Sequence, residues 1–129
     1  MIYLDSSVAL AAILAEARMP PEALWKEQLS SSRLLQYEVW NRIFAKGLGD
    51  THADEVAEVL RKVDMIELTS RFLGRALRPF PIAVRTLDGL HLATIEYLRA
   101  DGDTIELASY DGRLIAAAAA LGIPLAELS

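Results

Sequence analysis

Residues 2–14, IYLDSSVALAAIL, decide the fold class of this chain. The apolar run Ile2–Leu4 is typical of a short buried strand. Asp5 and the two serines that follow it can cap a helix, which we expect over about Val8–Glu16. A strand that leads directly into a capped helix predicts an α/β fold.

Strand and helix signals alternate along the rest of the sequence. Further strands are expected at Met65–Leu68, Ile105–Tyr110 and Ile123–Leu128, and Ser30–Ser32 is predicted to be a break between elements. Helices are expected at about Pro21–Gln28, Leu34–Lys46, Thr51–Val63, Ser70–Pro79, Leu87–Ala100 and Asp111–Leu121. This alternation predicts one α/β domain over residues 1–129, with helices on both faces of a parallel sheet. Ligands of such sheets bind at the carboxyl ends of the strands.

Composition excludes several classes of protein. The chain has 129 residues, of which 53% are hydrophobic and 24% charged, a balance typical of a folded domain. It has no cysteine, so disulfides, thiolate metal sites and cysteine nucleophiles are excluded. The formal net charge of −5, from 18 acids and 13 bases, argues against strong nonspecific adhesion to nucleic acid.

The sequence contains no recognisable targeting or membrane signal. The start MIYLDSS has no basic region. The longest apolar runs, Val8–Ala15 and Leu114–Leu121, are far shorter than the roughly 20 residues that span a bilayer. We therefore expect a cytoplasmic protein that does not associate with membranes.

Four acids differ from the rest, most of which are expected on solvated helix surfaces or in turns. Asp5 and Asp111 each follow an apolar strand, Asp88 lies in the first turn of a predicted helix, and Glu38 lies within LLQYEVW. Helix capping explains each Asp, but it explains Glu38 poorly because that residue lies four positions into its helix. The alternative is that strand ends and helix starts bring the four carboxylates together.

Convergent carboxylates would require a cation. Two carboxylates about 6 Å apart repel each other by roughly 3 kcal/mol at an effective dielectric constant of about 20. Oxygen ligands without His or Cys partners suit Mg²⁺ or Mn²⁺ rather than zinc. Such an ion activates water and stabilises the transition state of phosphoryl transfer.

Four blocks of the sequence resemble a known family. They are IYLDSSVALAAIL (2–14), SSRLLQYEVWNRI (31–43), TLDGLHLAT (86–94) and ASYDGRLIAAAAALGIPL (108–125). In this order and spacing, the chain resembles a PIN-domain ribonuclease, and specifically a VapC-type toxin of a toxin–antitoxin pair. The resemblance implies a PIN-like three-layer α/β/α sandwich with a central parallel sheet.

The resemblance also implies a site and partners. The four acids of the family fall on Asp5, Glu38, Asp88 and Asp111, and the three Asp residues are the expected ligands of Mg²⁺ or Mn²⁺. Glu38 either binds a metal or orients water. The implied reaction is hydrolysis of RNA phosphodiester bonds. The implied partners are a VapB-type antitoxin that occupies the acidic cleft and a second copy of the chain in a homodimer.

Other residues are considered as supports of this site. Ser6 or Ser7 is expected to hold a site water or a phosphate oxygen. Ser109 occupies the position two residues before the last acid, where the family commonly has a polar residue. Arg42, four residues after Glu38, either orients that acid, contacts phosphate or pairs with a surface acid. His91 is expected to pack or to hydrogen-bond rather than to act as a metal ligand or general base.

Residues 68–87 contain four arginines and no acid: Arg71, Arg75, Arg78 and Arg85. The first three have helical spacing, and we call them the basic stripe. The basic stripe is either a solvated helix face or, together with Arg85, a track for RNA phosphates that leads to Asp88. The aromatic residues Tyr37 and Trp40 either stack on bases or pack in the core or in a dimer.

Two rival functions belong to other classes. A non-catalytic PIN module that binds RNA or a protein partner would be marked by loss of an acid, and all four acids are present. A phosphorylatable receiver domain would need a late Lys, whereas no Lys follows Lys62.

Overall fold

Four parallel strands form the centre of the molecule in a computed structural model that describes residues 1–128. They are β1 (Ile2–Leu4), β2 (Leu29–Ser32), β3 (Val63–Ile66) and β4 (Glu106–Ala108). Their order in the sheet is β3-β2-β1-β4, and Ile2 of the central strand aligns with Leu29 on one side and with Glu106 on the other. The carboxyl ends of all four strands therefore lie at the same edge of the sheet.

The helices follow the strands in the predicted order. They are α1 (Ser6–Ile13), α2 (Leu34–Ala45), α3 (Gly49–Arg61), α4 (Ser70–Ala76), α5 (Thr86–Ala100) and α6 (Gly112–Ala120). The helix predicted at Pro21–Gln28 is a short 3-10 helix over Glu22–Lys26 instead. None of the helices within residues 1–128 combines the length and the hydropathy needed to cross a membrane.

The side chains of β1 divide the hydrophobic core into two halves because they alternate between the faces of the sheet. Ile2 and Leu4 pack with α1, α2 and α3 on one face. Tyr3 packs with α5 and α6 on the other face, and α4 lies against α5 through the ring pair Phe72–Tyr97. This arrangement confirms the predicted three-layer α/β/α fold with a central parallel sheet.

The break predicted at Ser30–Ser32 is wrong, since these residues belong to β2. Serine has little preference for strands, but tertiary contacts outweigh that preference here. The Ser31 hydroxyl donates to the Leu4 carbonyl at 2.8 Å, and the Ser32 backbone N–H donates to the Tyr3 hydroxyl at 3.1 Å. These hydrogen bonds satisfy buried polar groups between β1 and β2.

The ends of several elements differ from the sequence prediction. Helix α5 begins at Thr86, one residue before the predicted start, and Arg85 occupies the N-cap position without a side-chain capping hydrogen bond. The strand predicted at Ile123–Leu128 is reduced to a single bridge between Leu107 and Leu125. By contrast, Asp5 and Asp111 cap α1 and α6 as predicted, because their side chains accept hydrogen bonds from backbone N–H groups in the first turns.

Candidate active site

Asp5 lies where β1 ends, and its carboxylate is tied to two serines. Its Oδ2 atom accepts hydrogen bonds from Ser7 Oγ at 2.5 Å and from Ser109 Oγ at 2.9 Å. The Asp5 backbone N–H donates to the Ala108 carbonyl at 3.0 Å, so β1 and β4 remain paired up to the point where the acid begins. Asp5 is only 5% exposed. These bonds fix a buried carboxylate at the carboxyl edge of the sheet.

Ser109 connects Asp5 to Asp111. The Ser109 hydroxyl donates to Asp5 and accepts a hydrogen bond from the Asp111 backbone N–H at 2.9 Å. Of the two serines after Asp5, Ser7 has the side-chain contacts: its Oγ also accepts from the Tyr110 backbone N–H at 2.9 Å. Ser6 forms no side-chain hydrogen bond with the described residues 1–128.

Arg85 joins the other two Asp residues. Its Nε donates to Asp88 Oδ2 at 3.2 Å, and its Nη2 donates to Asp111 Oδ2 at 2.7 Å. Asp88 is buried in the first turn of α5, whereas Arg85 is exposed just before that helix. We predicted Arg85 as an RNA contact, and its guanidinium lies between two of the expected metal ligands.

The charges of the three Asp residues act on one another. Burial raises the pKa of the Asp88 carboxyl, and the negative charges of Asp111 and Asp5 raise it further. The Arg85 guanidinium opposes this rise, but the pKa of Asp88 remains above its ordinary value. Asp5, Asp88 and Asp111 are therefore close enough to form one electrostatic cluster.

Glu38 lies on α2 and is connected to the site by a hydrogen bond with His91. The Glu38 Oε1 atom lies 2.6 Å from His91 Nε2, and His91 Nδ1 lies 2.7 Å from the Tyr3 hydroxyl. Burial lowers the pKa of the His91 imidazole, but the hydrogen bond and charge of Glu38, together with the charges of Asp5 and Asp88, raise it above its ordinary value overall. Burial holds the pKa of the Tyr3 phenol above its ordinary range, so its hydroxyl stays protonated.

The donor chemistry of the three Asp residues fits Mg²⁺ or Mn²⁺, since carboxylate oxygens are the ligands that these ions prefer. Burial and, to a lesser extent, the charges of Asp111 and Asp5 raise the pKa of Asp88, and a divalent cation would offset those charges. In the conformation described for residues 1–128, no three His, Asp or Glu side chains form a ready metal-binding group. The pairing of Arg85 with Asp88 and Asp111 orients those carboxylates toward a guanidinium instead.

The basic stripe lies apart from the acids. Arg75 forms an ion pair with Glu96 at 2.6 Å, and Arg71 lies over the Tyr97 ring, 5.3 Å from its centroid. Arg78 is exposed. Glu96 is eight residues beyond Asp88 on α5, which corresponds to about 12 Å along the helix. The basic stripe is therefore adjacent to the site but not part of it.

The other side chains considered at the sequence level lie on α2. Arg42 is exposed and forms no ion pair with the described residues. Tyr37 is 61% exposed, which excludes it from the core, whereas Trp40 is partly buried and stacks on Phe44 with ring centroids 5.3 Å apart.

Arg113 and Tyr3 contact the site or its neighbours, but they were not among the site residues predicted from the sequence. Arg113 lines a cleft of about 440 Å³ together with Arg85 and Asp88. Its position two residues after Asp111 was the available signal. Nothing in the sequence singles out Tyr3, because a tyrosine in an apolar strand is usually an ordinary core residue.

Comparisons with known proteins agree with this architecture. A family model described as PIN domain matches residues 2–125. Ribonuclease VapC46 of Mycobacterium tuberculosis is 34% identical over 128 residues, with 95% of this chain and 93% of the relative covered. Ribonuclease VapC35 of the same species is 28% identical over 128 residues, with the same coverage.

A solved structure extends the comparison to three dimensions. The crystal structure of Mycobacterium tuberculosis VapC20, described as a Sarcin-Ricin loop cleaving toxin, has a TM-score of 0.67 against this chain at 18% sequence identity. The match covers 91% of this chain and 95% of that chain, and at this identity it establishes the fold alone.

A parallel sheet with acids at its carboxyl edge and a family match over nearly the whole chain define the class: this chain belongs to the PIN-domain family. Within that family it is a relative of the VapC ribonucleases.

Proposed function

We propose that this chain is a Mg²⁺- or Mn²⁺-dependent endoribonuclease and the toxin of a type II toxin–antitoxin pair. One observation carries the proposal. Asp5, Asp88 and Asp111 come from three separate elements, and one hydrogen-bonded network joins them through Ser109 and Arg85. Two curated relatives are named as ribonucleases, which supports RNA as the substrate class.

Asp5, Asp88 and Asp111 are the residues that would hold the ion. When bound, the ion would supply an activated water and positive charge for the transition state of phosphodiester hydrolysis. Both serine hydroxyls at Asp5 use its Oδ2 atom, which leaves Oδ1 without a recorded hydrogen bond among residues 1–128. A carboxylate held through one oxygen can offer the other as a ligand at little cost in side-chain entropy.

Glu38 would orient the attacking water. Its partner His91 is near enough to Asp5 and Asp88 for their charges to raise the pKa of the imidazole, so Glu38 lies beside the acid cluster. Arg85 and Arg113 line the cleft next to Asp88. Their guanidinium groups are suited to bind the phosphates on either side of the scissile bond.

The proposed protein partners are a VapB-type antitoxin and a second copy of the chain. The resemblance to VapC toxins supports both. An apolar groove of about 770 Å³ begins next to Arg85, and its walls include the exposed side chains Leu73, Leu77 and Ile82. Exposed apolar surface of this kind is typical of protein-binding sites.

The alternative is a non-catalytic PIN module that binds RNA or a protein. The pairing of Arg85 with two of the acids favours it, because the guanidinium already neutralises carboxylates that would otherwise need an ion.

Cleavage of RNA by the purified chain distinguishes the two functions. Total RNA is incubated with the chain and Mg²⁺ or Mn²⁺, with and without excess EDTA, and the 5′ and 3′ ends produced are mapped by sequencing. The nuclease proposal predicts discrete new ends that require the divalent ion. RNA binding with no ion-dependent ends at any position would favour the non-catalytic module.

A further inference from the structure

A buried hydrogen-bond chain connects the middle of the sheet to Glu38. The backbone N–H of Ser32 in β2 donates to the Tyr3 hydroxyl in β1 at 3.1 Å. The Tyr3 hydroxyl lies 2.7 Å from His91 Nδ1 on α5, and His91 Nε2 lies 2.6 Å from Glu38 Oε1 on α2. Four elements from three layers thus meet through four polar groups, which we call the Tyr3–His91 chain.

The burial of these groups increases toward the interior. The Glu38 side chain is 18% exposed and the His91 side chain is 1% exposed. Tyr3 is 0% exposed. A phenol and an imidazole without hydrogen bonds would be costly at such depth, so the chain is a satisfied polar network inside an apolar core. The role assigned above to the three Asp residues does not use it.

The Nε2 atom of His91 can donate to Glu38 in both protonation states of the imidazole. In the neutral form, the Tyr3 oxygen accepts from Ser32 N–H and its own proton is available for His91 Nδ1, so that the ring proton lies on Nε2. In the imidazolium both ring nitrogens carry protons, and in either form Nε2 donates to Glu38 Oε1. The Glu38 Oε2 atom has no recorded hydrogen bond among residues 1–128. His91 therefore fixes one oxygen of Glu38, and the other oxygen remains available for contacts within the site.

We propose that Tyr3 and His91 are positioning residues that hold the Glu38 carboxylate in a single orientation at the edge of the acid cluster. This inference rests on the proposed nuclease function, in which Glu38 orients water. A buried, hydrogen-bonded histidine is already ordered before the reaction. It therefore loses little side-chain entropy when it holds a carboxylate in place during catalysis. The function of His91 is then exerted through Glu38 and not through direct contact with substrate or ion.

A kinetic comparison tests the proposal. His91→Leu removes both ring nitrogens, Tyr3→Phe removes only the hydroxyl, and His91→Gln retains an amide that can donate toward Glu38. We expect His91→Leu and Tyr3→Phe to lower kcat by about 10- to 100-fold, with KM for RNA changed by less than about twofold. His91→Gln should recover a substantial part of the kcat lost in His91→Leu.

A double substitution separates positioning from simple loss of stability. In a Glu38→Ala background, which removes the acceptor of the His91 hydrogen bond, His91→Leu should lower kcat by less than about twofold further, since its effect passes through Glu38. Losses that multiply across the two positions would overturn the proposal. So would a full kcat in both His91→Leu and Tyr3→Phe.

Histidine NMR gives a readout that needs neither RNA nor an ion. The chain has two histidines, so the control variant His52→Gln leaves His91 as the only imidazole signal. We expect a slowly exchanging Nε2 proton in wild type and in His52→Gln, and its loss in Glu38→Ala, which removes the acceptor. An Nε2 proton that exchanges as fast in wild type as in Glu38→Ala would overturn the proposal. A wild type that cleaves no RNA would instead count against the nuclease function, and the NMR result would still decide whether His91 holds Glu38.

Discussion

The Arg85 guanidinium donates from Nη2 to the Asp111 carboxylate at 2.7 Å, directly beside the carboxyl edge of the sheet. Through Nε, the same side chain donates to Asp88. A divalent cation bound by these two carboxylates would lie next to the Arg85 guanidinium, so Arg85 and the cation compete for the same negative charge.

Replacing Arg85 should therefore strengthen metal binding. We expect Arg85→Gln to lower the Kd for Mn²⁺ by about three- to tenfold at low ionic strength, and by less at high salt, because the removed charge is exposed to solvent. Titration calorimetry measures the change. The matched control is Arg61→Gln, which removes an arginine paired with Glu58 on α3 and should leave Mn²⁺ affinity unaltered. Weaker Mn²⁺ binding in Arg85→Gln would contradict the competition.

The raised pKa of Asp88 predicts a pH-dependent cost in stability. Burial and the charges of Asp111 and Asp5 make the ionised form less favourable in the folded chain than in the unfolded chain. This cost is present above the folded pKa and disappears as the pH falls below the unfolded value of 3.8. Asp88→Asn should therefore raise Tm at pH 7 by a few degrees.

The comparison is made in EDTA, so that no bound ion stabilises the wild type. The difference in Tm between wild type and Asp88→Asn should shrink as the pH is lowered toward 4. A Tm difference that grows on acidification would show that Asp88 is not destabilised by its neighbours.

The serines around Asp5 should differ in how much they contribute to the stability of the folded chain. Ser109→Ala removes the hydroxyl that connects Asp5 with the Asp111 backbone, and it should lower the free energy of unfolding by about 1–3 kcal/mol because it leaves buried groups without partners. Ser7→Ala should have a similar cost. Ser6→Ala is the matched control and should change stability by less than about 0.5 kcal/mol. Urea unfolding of the three variants gives the ranking, and an equal loss in Ser6→Ala would contradict it.

The basic stripe predicts a salt-dependent contribution to RNA binding. Arg71 and Arg78 are exposed and form no ion pair with the described residues, so reversing both to Glu should weaken RNA binding more at low salt than at high salt. Arg75 is a poor choice for this test because its pairing with Glu96 also holds α4 against α5. The control is reversal of Lys26 and Arg61 to Glu. The elements that carry these two residues pack on the face of the sheet opposite to α5. RNA affinity unchanged by the Arg71 and Arg78 reversal would assign the stripe to solvated surface.

Sequence patterns predicted the features that depend on residues adjacent to one another in the chain. Asp5 directly follows β1 and Asp111 comes three residues after β4, and in a parallel sheet positions that follow the strands lie at one edge. Their capping of α1 and α6 was also predictable, because an Asp before a helix accepts hydrogen bonds from its first turn. The alternative readings of capping and convergence are compatible, since both Asp residues cap a helix and also lie in the acid cluster.

Features that depend on distant contacts were not predictable. The serines of β2 do not predict a strand by themselves. They form one because they lie between β1 and β3, where the Ser31 hydroxyl and the Ser32 N–H are hydrogen-bonded to β1. Glu38 and His91 are 53 residues apart in sequence, and nothing local indicates that they are hydrogen-bonded. The position of Arg85 between two acids likewise requires α5 and α6 to be packed on the same side of the sheet.

Ion-dependent RNA cleavage by the acid cluster should depend above all on Asp5. The decisive measurement is the rate of Mn²⁺-dependent cleavage by wild type, Asp5→Asn and the matched control Asp54→Asn, which alters an exposed acid on α3. We expect Asp5→Asn to cleave about 100- to 1,000-fold more slowly, because a lost ligand removes several kcal/mol of transition-state stabilisation. Asp54→Asn should match wild type. Cleavage by Asp5→Asn at the wild-type rate would show that the acid cluster does not hold the catalytic ion.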